Sequence, residues 1–223
     1  MVSAKNLPAL AIRRLVAASA ISATLMFLLV IWSLFVDNQS QRDRTTGLHG
    51  TIPLVMKGGD PYIRALMRTI SASESNYPDP YAVIYGGEYV RNFQRHPSKC
   101  VTIVSGPNKG NCSTAAGRYQ MLNRTWMGKA KRYHPKPSRF IIWTNYSFEP
   151  EYQDAVVYAW LKDKKAWGVD ISKMLSEGKL EEVLRLLSGT WTSLGYGIET
   201  NSMSKSLPRI YQRILKEELK TSK

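Results

Sequence analysis

From Leu15 to Val36 the chain reads LVAASAISATLMFLLVIWSLFV, 22 residues without a charged side chain. At a rise of about 1.5 Å per residue, such a run crosses the roughly 30 Å hydrocarbon core of a bilayer as one helix. A helix in a globular core rarely stays uncharged for so long. A cleaved leader has a shorter apolar stretch, about 7 to 15 residues, and then a small-x-small site, which SLFVDNQS lacks. Lys5, Arg13 and Arg14 precede the run with no acid among them, and Asp37 follows it at once. Excess positive charge keeps its side of a span in the cytoplasm. The expected organisation is therefore a cytoplasmic N-terminus (1–14), a transmembrane signal-anchor (15–36) in contact with the lipid bilayer, a tether (37–59) and an exported domain (60–223). The expected location is thus the inner (cytoplasmic) membrane, single-pass, with the domain in the periplasm or extracytoplasmic space. The first half of the run, with Ala17, Ala18, Ser19, Ala20, Ser22 and Ala23, is weakly apolar, which leaves later release from the membrane open beside a permanent anchor.

Charge narrows the partner. The 31 Lys+Arg and 17 Asp+Glu residues give +14, and +11 remains once the three basic residues before the run are set aside. Such an excess favours a polyanion. Nucleic acid is a poor candidate outside the membrane, and the chain holds no zinc-finger spacing, basic zipper or aromatic RNA-binding motif. Anionic lipid and an acidic wall polymer remain. Two cysteines are too few for a disulfide scaffold, and 43% hydrophobic residues are too many for a disordered tail.

The exported part reads as one mostly helical α+β domain. Asp60-Pro61 is a good helix start, an N-cap followed by proline in the first turn. Ile63, Met67 and Ile70 then lie at i, i+4 and i+7, the spacing of one buried face. Continuing by four reaches Glu74, so a carboxylate stands where an apolar residue is expected, just before Asn76, Pro78 and Asp79-Pro80 break the helix. Desolvation and the negative helix pole both disfavour its ionised form, so its pKa is expected to be raised, as a general acid near neutral pH requires. The bland alternative is a frayed helix end with Glu74 in water. YAVIYGGEYV and CVTIVSGPNKGNC resemble short strands joined by glycine-rich turns. Helices follow over AAGRYQMLNRTWMGKAKRY, EPEYQDAVVYAWLKDKKAW and KLEEVLRLL, and a last basic helix is striped by Leu207, Ile210, Tyr211 and Ile214. Cys100 and Cys112 bracket a loop whose closure would contribute roughly 3 kcal/mol in an oxidising compartment; two reduced thiols are the alternative.

The available chemistry is limited. His49, His96 and His134 have no metal-ligand spacing, and there is no nucleophile elbow, phosphate loop or dinucleotide fingerprint. No metal and no cofactor is expected. Carboxylates remain, and Glu74, Glu88 and Asp154 have apolar or glycine-rich surroundings. Glu88 follows Gly86-Gly87 in a turn and suits a solvated role, while Asp154 suits holding a helix by hydrogen bonds.

Ser73-Glu74, VIYGGE at 83–88, His96-Pro97, Val101-Thr102, AAGRYQML at 115–122, YQDAV at 152–156 and WTSLGYG at 191–197 together resemble, in order, the phage lambda lysozyme (endolysin) family. The resemblance runs over about residues 62–215. It implies a lysozyme-like α+β fold with a substrate cleft between lobes, and a lytic transglycosylase acting on peptidoglycan. It also implies that Glu74 is the catalytic acid and that Tyr119, Gln120 and Tyr196 contact substrate. Ser75 stands where the family has glycine, Ala82 where it has aspartate, and Asn92 and Arg95 where it has acids.

A hydrolysing glycosidase normally uses two carboxylates, and with Ala82 and Asn92 lacking them a dedicated second one is hard to find. A transglycosylase needs one. Two alternatives stay open: a hydrolytic muramidase, and a catalytically weak, membrane-tethered peptidoglycan-binding protein. An even choice also stands for Tyr119 and Trp191 between the cleft and the core.

Overall fold

The computed structural model describes residues 26–32, 48–140, 143–196 and 203–221, and the chain divides into two units, Met1–Thr46 and Gly47–Lys223. Of the first unit only Met26 to Trp32 is described. It is helical, and its seven side chains are exposed by 47 to 67%. Among the described residues no helix is long and apolar enough to cross a membrane. The expected span at 15–36 lies largely outside them.

The second unit is built around helix α1 (Pro61–Glu74). Asp60 caps it by accepting from the Tyr62 amide at 2.9 Å, and Pro61 occupies the first turn. The apolar stripe is the buried face: Ile63, Leu66, Met67 and Ile70 have no exposed surface. The helix does not fray before its carboxylate but ends at Glu74, with the Ser75 amide bonded to Ser71 O. Around α1 pack α2 (Asn123–Tyr133), α3 (Pro150–Lys162), the short α4 (Lys164–Trp167) and α5 (Ile171–Ser176), α6 (Leu180–Leu187) and α7 (Leu207–Thr221). The most extensive contact is between α1 and α7. Two small antiparallel sheets complete the α+β class. In one, β1 (Val101–Thr102) pairs with β2 (Cys112–Ser113); in the other, β3 (Ser138–Phe140) pairs with β4 (Trp143–Asn145). YAVIYGGEYV forms only isolated bridges, Val83 to Tyr89 around its glycine turn and Ile84 to Ala116. Cys100 and Cys112 form a disulfide, with Cα atoms 5.4 Å apart, across the β1–β2 loop.

Three expectations are corrected. First, the helix expected from Ala115 begins only at Asn123. Ala115 to Leu122 is a tight loop with positive φ at Gly117 (70°) and Gln120 (42°), and a Cβ on Gly117 would collide with the Gln153 amide and the Phe148 ring. Second, the helix expected over 149–167 is two, divided at Asp163, which caps α4 through the Lys165 amide. Third, residues 48–59, expected within the tether at 37–59, belong to the domain, and the rest of that expected tether lies outside the described residues. Thr51 and Leu54 are buried, and Gly50 lies against the backbone of Ser71 and Ala72. Arg118 holds this segment by donating to the carbonyls of Gly50, Ile52 and Pro53.

Candidate active site

Glu74 is half-buried at the C-terminal end of α1. The Ser193 hydroxyl donates to its Oε1. Ser193 also lies 2.9 Å from Ser73 Oγ, while Ser73 Oγ is 3.1 Å from Ile70 O. The Ser-Glu pair and the WTSLGYG segment therefore meet at one carboxyl. Ser193, 9% exposed in a 3-10 turn (Thr192–Leu194), is a site residue that spacing did not reveal. Its only signal was membership of a motif that had drawn attention to its tyrosine.

The GRYQ loop joins from the other side. Ser75 Oγ donates to Arg118 O at 2.6 Å, and Trp191 Nε1 donates to Tyr119 O at 3.0 Å. Its side chains then part. Tyr119, expected as a substrate contact, is 1% exposed, and its hydroxyl donates to Asp154 Oδ1 at 2.6 Å. Burial, then the Asp154 charge, hold that phenol well above the usual tyrosine range, so it stays a donor. This places Tyr119 in the core rather than against sugar. Trp191 is a core residue too, 3% exposed and 5.3 Å from the Trp160 ring. Gln120 remains partly exposed, and its Nε2 donates to Val83 O and Gly117 O. It lines a groove of about 560 Å3 with Arg124, Lys129, Trp160, Thr190 and Trp191. Tyr196, 37% exposed, has the Arg185 guanidinium 4.8 Å from its ring centroid. No bond among those described links it to Glu74, although it follows Ser193 by three residues.

The other carboxylates are engaged elsewhere. Asp154 is fully buried and accepts four donors: the Tyr119 and Tyr81 hydroxyls and the Val55 and Met56 amides. Such a group holds structure and has no room to activate water. Glu88 is exposed in its turn and pairs with Lys99. The buried imidazoles of His96 and His134 each accept a backbone amide at Nδ1 and face a carbonyl with Nε2, an arrangement that fixes a neutral tautomer. Burial lowers the pKa of both. Among the described residues no cluster suits a metal ion.

A mostly helical α+β domain with a glutamate at a helix end, steadied by the hydroxyl of a distant turn, defines a lysozyme-like protein. The fold agrees with a solved structure of bacteriophage lambda lysozyme complexed with a chitohexasaccharide, at a TM-score of 0.52 and 27% identity over 71% of this chain and 97% of that one. The model of the Endolysin family matches residues 64–216, and the chain belongs to that family. Endolysin of Escherichia phage lambda is 34% identical over 120 residues, a stretch covering 52% of this chain and 64% of that protein. The chain thus matches somewhat less than two thirds of that relative's length.

Proposed function

We propose that this protein is a peptidoglycan-cleaving lytic transglycosylase that breaks the β-1,4 bond from N-acetylmuramic acid to N-acetylglucosamine, with Glu74 as its acid and base. The carrying observation is that the Ser-Glu pair and the WTSLGYG segment meet at the Glu74 carboxyl, with the GRYQ loop bonded to the neighbouring Ser75, while Asp154 and Glu88 are committed to other partners. Glu74 gives its proton to the glycosidic oxygen as the C1–O bond breaks. As a carboxylate it then takes the proton of the muramic C6 hydroxyl, whose oxygen bonds to C1. The product ends in a 1,6-anhydro ring, no water is consumed, and the proton is back on Glu74. The Ser193 hydroxyl orients the carboxyl for both transfers, and the exposed Tyr196 and Gln120 are the proposed sugar contacts.

The second reading, a hydrolytic muramidase, requires a carboxylate to activate water, and Glu88 is the exposed candidate beside a glycine turn. Product analysis separates the two, since anhydro ends mark the transglycosylase and reducing ends the hydrolase.

The proposed location is the inner membrane, with the span at 15–36, the N-terminus cytoplasmic and the domain in the periplasm facing the wall. The uncharged run, the basic residues before it, the helical and exposed Met26 to Trp32 stretch and the disulfide support this reading. The excess positive charge, with a pI near 9.8, favours adsorption to an anionic wall. Protease treatment of intact spheroplasts tests the topology: digestion of the domain is expected, and full protection would overturn it.

A further inference from the structure

Muramic acid carries something that a neutral chitin oligosaccharide lacks, a lactyl arm extended into a stem peptide, with a carboxyl group at its own end or along the peptide. The groove beside Gln120 has the complementary chemistry. Its floor includes the indoles of Trp160 and Trp191, 5% and 3% exposed. Lys129 Nζ lies 4.0 Å from the centroid of the Trp160 ring, a cation seated on an aromatic face, and both residues line the groove. Arg124, one and a half turns earlier on α2, lines the same hollow and is exposed. Among the described residues no acidic side chain lines the groove and neither cation forms an ion pair.

Another hollow of the domain, about 700 Å3, shows the contrast. Its Arg64 and Arg68 are matched by Glu217 and Glu218 on the same walls. There the protein supplies its own counter-charge; in the groove the described residues supply none. The groove is also continuous with the site along the chain. Trp191 lies two residues before Ser193, which holds Glu74, and Gln120 lies two residues after Arg118, whose carbonyl is bonded by Ser75.

We propose that this groove is a subsite for the carboxylate of the muramic arm, with Arg124 and Lys129 pairing to it over the Trp160 surface. The enzyme then binds muramic-acid polymers more tightly than neutral glycans. This inference rests on the peptidoglycan reading above.

The test uses the full chain in detergent carrying Glu74→Gln, so that ligands persist, with and without Arg124→Gln and Lys129→Gln. Affinities are measured by titration calorimetry for three ligands: soluble glycan strands with stem peptides, the same strands after an amidase has removed the peptides and left the lactyl carboxylate, and chitohexaose. The double replacement is expected to weaken binding about tenfold, the scale of a lost charge-assisted contact, on the anionic strands while leaving chitohexaose unchanged. A loss confined to peptide-bearing strands assigns the stem peptide, and a loss on both anionic strands assigns the lactyl group. Equal effects on all three ligands, or none on any, would overturn the subsite. Failure of the parent protein to bind any of the three would remove the peptidoglycan reading itself. Unchanged chitohexaose binding reports an intact fold, and Arg124→Lys with Lys129→Arg is expected to retain the preference.

Discussion

Asp154 and Glu74 are both carboxyls on helices of one domain, but their surroundings assign them opposite work. Asp154 has no exposed surface and four donors, two of them amides from the 48–56 segment. Around it, Arg118 binds three carbonyls of that same segment and the Tyr81 hydroxyl. Glu74 is half-exposed, at a helix end, and steadied by a serine from a turn 119 residues away in sequence. A fully satisfied buried carboxylate is a fastener; a partly exposed one held by a hydroxyl can exchange protons with a ligand. The GRYQ loop serves both regions, sending Arg118 and Tyr119 inward and Gln120 outward.

The sharpest way to break this contrast is to remove the fastener. Asp154→Ala leaves two tyrosine hydroxyls and two amides without their acceptor. A loss of about 3 to 5 kcal/mol is expected, the range for breaking a buried charged network. Urea unfolding of the variant would measure it, and an unchanged midpoint would put the 48–56 segment back among tethers. The disulfide comes next: Cys100→Ser with Cys112→Ser is expected to cost roughly 3 kcal/mol on the chain-entropy model, read by the same unfolding, with the activity of folded protein retained. Ser193→Ala acts on the other region. Loss of one hydrogen bond to a charged group is worth roughly 1.5 to 3 kcal/mol, here expected mainly in kcat on cell-wall substrate, with the melting temperature little changed. A large fall in melting temperature with normal kcat would make Ser193 a packing residue.

Acid gives a smaller, graded test. Burial lowers the pKa of His96 and His134 in the folded state, so as pH falls below about 6.5 the unfolded chain takes up protons first. Stability is therefore expected to fall between pH 7.5 and 5.5, seen as a lower urea midpoint. Replacing both histidines by glutamine should flatten that slope, and an unaltered slope would assign it elsewhere. The smallest effect expected is that of Glu88→Gln. Its exposed pair with Lys99 contributes about 1 kcal/mol or less, and neither stability nor product should change.

The helical stripe that led to Glu74 was legible because helix periodicity is local: Ile63, Met67 and Ile70 report their own buried face without reference to the rest of the chain. The same holds for Leu180, Val183, Leu184 and Leu187 on α6. Contacts made at long range were not legible. The stretch 37–60 looks polar and glycine-punctuated as a whole, which hides the apolar run IPLVM at 52–56, and contacts from Arg118 and Asp154, 65 to 99 residues away, help fix that run to the domain. The alanine-rich start of the GRYQ motif suits a helix, yet packing of Gly117 against Gln153 and Phe148 bends it into a loop. Tyr119 and Gln120 are neighbours in the same motif, and no sequence pattern says which of two adjacent side chains faces the ligand when the backbone between them is in a left-handed turn. The hairpin of β3 and β4 and the short α5 were missed because three-residue strands and six-residue helices carry too little periodicity.

The central claim is that Glu74 alone supplies the proton traffic for a reaction that excludes water. Mass spectrometry of muropeptides released from sacculi by the full chain in detergent, wild type beside Glu74→Gln, tests it most directly. Wild type is expected to release products with 1,6-anhydro ends, and Glu74→Gln to be slower by about 10²- to 10⁴-fold, the usual contribution of a positioned acid and base, with an unchanged fold. Undiminished release by Glu74→Gln, or wild-type products with reducing ends throughout, would contradict it.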